Sequence, residues 1–372
     1  MKNSEICKNH RTMCMGCSAC SNACPSRAIS MVEDWKGFLY PKIDKSKCVD
    51  CRLCQKVCPV NHEVGSFHFP ESRAFVEANL NYLLSASSGG AFGVVARYVL
   101  SEKGVVYGAF MDDDYFVKYI GIDSEEDLKK LHGSKYVYAN IGNIYQEVKV
   151  SLSMGRHVLF CGCPCQVAGL KCFLMKDYPH LLTMDLICHG VPSQPYFRDY
   201  VKDLLRRKAK NGITTFRFRW KQKTCCETQR KFYNEKTIYV GFHNKDYYMT
   251  YFLWGKSYRS GCYHCRYAGG TRPGDFTVGD FWNNKYTGIL TNDTKGASLV
   301  LFNSQKSLSY IELFKEAGEC KVVKSLTEAM GSDGGQLSHP SRYDIRCDLI
   351  YILWRLMGTR GPKLLFALES LR

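Results

Sequence analysis

Cysteine is the residue with chemistry to offer here. The 372 residues hold 20 cysteines, nine of them between Cys7 and Cys58. Eight of those nine form two matching runs, Cys14-Met-Gly-Cys17-Ser-Ala-Cys20-Ser-Asn-Ala-Cys24-Pro25 and Cys48-Val-Asp-Cys51-Arg-Leu-Cys54-Gln-Lys-Val-Cys58-Pro59. Each reads C-x2-C-x2-C-x3-C-P, a spacing that ligates 4Fe-4S cubes and therefore carries single electrons. Three thiolates two residues apart curl a loop around one face of a cube. The fourth, in a proline-ended turn, reaches across to a second cube. Zinc also accepts C-x2-C pairs, but two full runs in register favour iron and sulfide. Cys7 stands outside both runs and reads as a spare surface thiol.

The two runs resemble those of bacterial two-cluster ferredoxins. The resemblance implies that Cys14, Cys17, Cys20 and Cys58 hold one cluster and that Cys48, Cys51, Cys54 and Cys24 hold the other. Residues 1–66 then form a small ferredoxin-like module, joined to the rest by the stretch NHEVGSFHFPES. No cysteine lies between Pro59 and Phe160, and the other eleven recur in small groups from Cys161 onward.

Hydrophobic residues make up 45% of the chain and charged residues 23%, which excludes a largely disordered protein. Beyond the module the pattern alternates β and α, which predicts an α/β fold with a mainly parallel sheet and helices on its faces. VVYGAF and VKYIGI read as strands around the turn-like MDDDY. SSGGAFGVVARYVLSEKG reads as a glycine-started helix that stops at Gly104. Ser124 and Asp127 have capping-box spacing and predict a helix start. HVLF, CGCPCQ and VAGLKCFL read as strand, tight turn and helix, LLTMDLI as a strand, and YFRDYVKDLLRRKAKNG as an amphipathic helix. TTFRFRW alternates aromatic and basic residues as a half-buried strand does. We divide the chain into residues 1–66, 67–165, 166–340 and a helical tail, 341–372.

A second resemblance rests on five ordered segments: SSGGAFG (87–93), GSKYVYAN (133–140), CGCPCQVAGLK (161–171), ICHGVPS (187–193) and GCYHCRYAGGTRPGDFTVGDFW (261–282). From about Ser72 to about Asn283 the chain resembles the beta subunit family of coenzyme F420 hydrogenases and dehydrogenases. That resemblance implies an α+β arrangement, a mixed-sheet flavin domain behind the ferredoxin module. It implies FAD, and an oxidoreductase that relays electrons between 4Fe-4S clusters and a two-electron carrier such as coenzyme F420; the cysteine content, with neither a secretory signal nor a spanning run, separately suggests a reducing cytoplasm. The FAD would exchange a hydride through its N5 atom. The alternatives are a reductase of a sugar, nucleotide or tetrapyrrole intermediate, as in exopolysaccharide synthesis, and an electron-carrier subunit with no substrate site of its own.

Ser87, Ser88, Gly89 and Gly90 precede a helix, so free N–H groups and the helix dipole suit a pyrophosphate, although an ordinary cap has the same residues. Lys135 could place a cation on a phosphate or beside a flavin ring, or be a solvated lysine. Gly162, Pro164 and Gln166 lie in a turn at the carboxyl end of a strand, where α/β sheets collect ligands. The family usually has Gly-Thr-Pro-Cys-Gln here, so Cys165 matches and Cys163 replaces a threonine. Cys165, Cys188, Cys262 and Cys265 match the family's cysteine positions and could enclose a third 4Fe-4S cluster. Zinc or separate buried thiols fit the same four. His189 is a candidate for proton transfer or a backbone-bonded structural residue; for Arg272, Asp275 and Asp280, ion-pair and capping roles compete with cofactor contact.

The formal charge is +16. Two clusters, each about −2 with its thiolates, would bring it to roughly +12. The remainder suits an acidic redox partner, a ferredoxin or a dehydrogenase or hydrogenase subunit, or an anionic substrate. Arg217, Arg219 and Lys221 interleave with Phe216, Phe218 and Trp220, but an amphipathic strand explains this without nucleic acid. The start MKNSEICKNHRT lacks an apolar core for a secretory signal, and no apolar run is long enough to span a membrane. The apolar and basic stretch from Asp348 to Lys363 is expected to pack on the core, with peripheral membrane or partner contact as the alternative.

Overall fold

A computed structural model describes residues 6–7, 10–65, 71–208, 215–219, 221, 230–234, 237–241, 245–291, 293, 295–330 and 335–370. Cys225, Cys226 and Trp220 lie outside them.

The N-terminal module is built on the antiparallel hairpin of β1 (Ile29–Glu33) and β2 (Leu39–Ile43). Two short helices, Ala19–Ala23 and Leu53–Lys56, occupy equivalent places in the two cysteine runs. Their loops share an unusual backbone. Gly16 and Ser18 have φ of 70° and 62°, and the matching Asp50 and Arg52 have 51° and 58°. Three of these four are not glycine, and left-handed conformations are uncommon for such residues. Alternation of this kind turns backbone N–H groups to one side of the loop, a concavity suited to an anion.

The remaining strands are β3 (Glu71–Glu77), β4 (Val105–Met111), β5 (Val117–Ile122), β6 (Val158–Gly162) and β7 (Leu181–Leu186). They continue with β8 (Thr215–Arg217), β9 (Arg230–Asn234), β10 (Thr237–Gly241), β11 (Phe276–Asp280), β12 (Ser298–Phe302) and β13 (Gly318–Val322). Eight of them form one sheet in the order β13-β3-β12-β11-β7-β6-β4-β5, and β10-β9-β8 form a small antiparallel sheet.

The large sheet is mixed rather than mainly parallel. Only β11-β7, β7-β6 and β6-β4 pair in parallel, and antiparallel strands flank this centre on both sides. On one flank β4 and β5 follow each other as an antiparallel pair, and on the other β3 inserts between β12 and β13 from more than two hundred residues away, so local alternation of β and α overstated the parallel share. In the centre both faces are buried. Val105, Tyr107, Val158, Phe160 and Leu181 point toward the helices Ile144–Ser153 and Pro164–Leu174. Val106, Leu159, Leu182 and Met184 point the other way, toward Ala91–Ser101.

Most sequence-predicted elements fall where expected, including the Gly104 stop and the strand–turn–helix around Cys163. Ser124 does not start a helix. That helix spans only Leu128–Leu131, with Asp127 at its cap and Ser124 in the bend before it. In the tail, Arg346–Met357 buries Cys347, Ile350, Tyr351 and Trp354 in the core and leaves Leu356 exposed.

One buried ion pair fixes the segment before β11. Asp185, at the end of β7, accepts from Arg272 Nε at 3.1 Å, Thr277 Oγ1 at 2.7 Å and the Gly274 N–H at 2.7 Å. Both charged side chains are fully buried. Asp275 bridges distant segments rather than capping a helix, accepting from Thr183 Oγ1 at 2.7 Å and Ser304 Oγ at 2.9 Å. Asp185→Ala leaves the Arg272 guanidinium buried without its carboxylate, so we expect a loss of about 3–5 kcal/mol. The denaturant midpoint of anaerobically purified protein measures it; a loss under about 1 kcal/mol would show that solvent reaches the site.

Candidate functional site

The first cysteine run wraps an enclosed space. Cys14, Cys17 and Cys20 line it together with Cys58, the last cysteine of the other run. The exchange is mutual, since Cys54 has Cys51 and Cys24 as its electrostatic neighbours. The two sets differ in exposure. Cys48 and Cys51 are exposed, whereas Cys17, Cys20 and Cys58 are buried. Burial, then the proximity of the other thiols, pushes Cys17 and Cys20 well above the ordinary thiol range. Such a cavity holds neutral thiols until a cationic core binds, when coordination deprotonates them.

Cys7 is not a surface thiol. It is 3% exposed, lines the same cavity and donates a hydrogen bond to Cys58, which lowers the Cys58 pKa. The apolar Ile6 beside it, buried at 4%, draws this stretch inward.

A second cavity lies behind the first. Parallel β6 and β7 end side by side, so Cys163 and Cys165 leave one strand end where Cys188 leaves the next. The short 3-10 helix Ser260–His264 brings in Cys262 and, just past its end, Cys265. All five cysteines line the cavity, with Met15, Tyr138 and Tyr267. Cys163 Sγ and Cys188 Sγ are 3.9 Å apart. Burial first, then neighbouring thiols, raises Cys262 to about 12 and Cys265 to about 11. Among the described residues no three His, Cys, Asp or Glu side chains close tightly enough on a point to hold a single metal ion.

The two cavities share Met15 as a wall. Behind it, Gly169 of Pro164–Leu174 meets the first run so closely that a Cβ there would lie 2.9 Å from Cys17 Cβ and 3.0 Å from its sulfur. Tyr138 donates to Gly16 O at 2.7 Å, and Asn22 Nδ2 donates to Gly142 O at 2.8 Å. The module is thus docked on the large domain at its buried cysteines.

The residues singled out for a flavin divide: Pro164 and Gln166 line the second cavity, whereas Ser87 and Ser88 lie outside it. Ser87 Oγ accepts from the Ser134 N–H at 2.6 Å, joining SSGG to GSKY. Arg219 donates to Ser87 O at 3.1 Å and grips Asp280 with both nitrogens at 2.9 and 2.8 Å, while Lys221 donates to Ser88 O and to Leu83 O at 2.9 Å. Gly90 has φ of 94° and begins Ala91–Ser101, whose first N–H groups have no acceptor within the helix. Ser88 Oγ is occupied by Ala297 O at 2.6 Å. Gln166 is wholly engaged with protein, accepting from Tyr119 at 2.7 Å and donating to Ala139 O at 2.9 Å. Gly162 packs against the Tyr119 hydroxyl, and Pro164 opens its helix. His189 lines the cysteine cavity, its ring 5.8 Å from that of Phe252. Burial lowers its pKa, and the nearby Asp280 opposes this.

Cys7, Met15, Arg219 and Arg259 are the residues that sequence reasoning missed or read otherwise. The alternation of Phe216 and Phe218, both buried, with Arg217 and Arg219 did mark the strand, but not that Arg219 would turn inward to Asp280. Arg259 carries no motif.

Two family descriptions match the chain. Residues 155–327 match the C terminus of the coenzyme F420 hydrogenase/dehydrogenase beta subunit, and residues 13–62 match the 4Fe-4S dicluster domain. An uncharacterized polyferredoxin-like protein of Methanocaldococcus jannaschii is 31% identical over 84 residues, which cover 19% of this chain and 50% of that protein. The chain therefore spans about half the length of that relative. Among solved structures, a chain of the xenon-derivatized F420-reducing [NiFe] hydrogenase complex from Methanosarcina barkeri aligns over 83% of this chain and 94% of its own, with a TM-score of 0.47 and 17% identity. Among the described residues no helix is long and apolar enough to cross a membrane.

Lys135 offers a test of the electrostatics. Its ammonium donates to Leu131 O and His132 O, both at 2.9 Å. Burial first, then repulsion from Arg217, lowers its pKa from 10.5 to about 7, against an opposing pull from Cys161. The unfolded chain keeps that proton to about 10.5 while the folded one releases it near 7, so U binds more protons between these values and stability rises with pH there. The penalty is full below about 7 and gone above about 10.5. Relative to Lys135→Met, the wild type should gain stability across that window; a flat difference in unfolding free energy against pH would refute the shift.

Proposed function

Because residues 155–327 belong to the family of carboxyl-terminal domains found in the beta subunits of coenzyme F420 hydrogenases and dehydrogenases, behind a 4Fe-4S dicluster domain at 13–62, we propose that this chain is an iron–sulfur flavoprotein oxidoreductase. It links a one-electron partner protein to a two-electron small-molecule carrier or substrate. The observation that carries the reading is the convergence of Cys163, Cys165, Cys188, Cys262 and Cys265 in a cavity that shares a wall with the Cys14–Cys58 cavity.

In this reading Cys14, Cys17, Cys20 and Cys58 hold one 4Fe-4S cluster, and Cys24, Cys48, Cys51 and Cys54 hold another. Cys165, Cys188, Cys262 and Cys265 hold a third. FAD lies against Ser87–Gly90 and the start of Ala91–Ser101, where the helix N-terminus and the nearby Arg219 and Lys221 favour its pyrophosphate. When bound, clusters supply single-electron transfer and a flavin converts between one- and two-electron chemistry.

The protein's own residues do the rest. The exposed Cys48 and Cys51 present one end of the relay to a partner, and the buried Cys17 brings the other end against Gly169. Met15, Tyr138 and Tyr267 keep the second cavity apolar and exclude water from it. His189 lines the same cavity and, with its pKa lowered by burial against the opposing pull of Asp280, is the residue proposed to move a proton there. Asp280 is itself held by two bonds from Arg219.

Anaerobic protein should contain about twelve iron atoms per chain, four for each cluster, with extractable FAD. Cys165→Ser should remove about four irons and leave about eight. About eight in the wild type would eliminate the third cluster, and the absence of flavin would reduce the chain to an electron carrier. Oxidation of reduced coenzyme F420 in an anaerobic cuvette is the expected substrate test. Flavin without that turnover would point to a sugar, nucleotide or tetrapyrrole substrate.

A further inference from the structure

Arg259 is fully buried and has no carboxylate bridged to it among the described residues. Its Nε donates to Cys14 O at 2.8 Å and its Nη2 to Leu39 O at 2.6 Å, with Nη2 also 3.9 Å from Cys14 Sγ. The Tyr40 ring covers the guanidinium at 4.1 Å. Nη1 is buried with no partner. It lies against Gly16, where a Cβ would stand 2.8 Å from it. Gly16 lies with Met15 between Cys14 and Cys17, so the orphan nitrogen sits at the first cysteine loop.

The same residue reaches the second cavity. Its N–H donates to Val191 O at 3.1 Å, its carbonyl accepts from the Cys262 N–H at 2.9 Å, and Gly261 packs on Cys14 O. The side chains around it are Cys14, Tyr40 and Phe38, a thiol and two aromatic rings rather than carboxylates. A buried cation with no anion costs several kcal/mol. A 4Fe-4S core with four thiolates is an anion, about −2 when oxidised and one unit more negative when reduced.

We infer that Arg259 is the counter-ion of the iron–sulfur centre held by Cys14, and a positioning residue that sets its reduction potential from between the two cysteine cavities. The inference rests on the proposed cluster assignment. A fixed positive charge beside the centre favours the more negative, reduced state and so raises its potential. The two main-chain acceptors aim the guanidinium; its charge does the tuning.

An EPR-monitored redox titration of iron-loaded, full-length protein tests this. Arg259→Gln keeps a planar donor and removes the charge. At the wild-type midpoint, one iron–sulfur signal should shift at least tenfold toward its oxidised form, about 59 mV for one electron. Arg259→Lys keeps the charge and should shift less than threefold. An iron-loaded Arg259→Gln whose signals all stay within threefold of wild type overturns the inference. If Arg259→Gln fails to fold or load iron, Arg259→Lys decides: restored iron and potential support a charge role, and failure of both variants shows packing alone and overturns it. Wild-type protein without iron would overturn the functional reading and this inference with it, whereas iron-loaded wild type with an unmoved variant overturns this inference alone.

Discussion

Cys17 rests on the bare backbone of Gly169, and the architecture depends on that contact. Any side chain at position 169 would meet the cysteine's Cβ and sulfur within about 3 Å. Close approach here brings a buried loop of the N-terminal module onto the helix whose first turn carries Cys163 and Cys165. The distance between the two cavities is therefore set by packed backbone, which side-chain motion does not relax. Two flanking bonds, Tyr138 to Gly16 and Asn22 to Gly142, fix the rotation of the module about this point.

The charges on the large domain divide into two kinds. Asp185 and Arg272 satisfy each other completely, with Thr277, Gly274 and Tyr267 supplying the remaining bonds. Arg219 and Asp280 pair through two parallel bonds at a half-buried site, and Arg219 also donates to Ser87 O. Both arginines have a carboxylate partner and shape loops. Arg259 is of the other kind, a buried cation whose bonds go to main-chain oxygens and whose charge faces thiols. The contrast separates structural arginines from one that depends on something bound.

Much of the site was legible before the fold was. The cysteine runs state their own chemistry through spacing, and the backbone repeats it, with Gly16–Ser18 and Asp50–Arg52 in the same left-handed alternation. Strand β6 and the turn after it were legible because apolar residues stop sharply at Gly162 and a proline opens the helix. Antiparallel flanks were not, because strand direction depends on partners far away in sequence. β3, for example, pairs with β12 and β13, more than two hundred residues on. Cys7 and Arg259 were illegible for the same reason. Cys7 acquires its role from Cys58, and Arg259 from Cys14, across 245 positions.

Exposure gives the relay an orientation that its chemistry lacks. An electron-transfer chain has no intrinsic direction, but its ends are not alike here. Cys48 and Cys51 lie at the surface beside Lys45, Lys47 and Arg52, all exposed. Cys17, Cys20 and Cys58 of the first cavity are buried, and the five cysteines of the second cavity, across Met15, are half-buried. Solvent and nearby cations stabilise added negative charge differently at each depth, so burial alone staggers the potentials along the line. Beside buried thiols a cationic side chain has more leverage than at the surface, because the low dielectric magnifies each fixed charge. The fully buried Arg259 at the Cys14 loop and the exposed lysines beside Cys48 therefore act at very different strengths on whatever charge their cysteines carry.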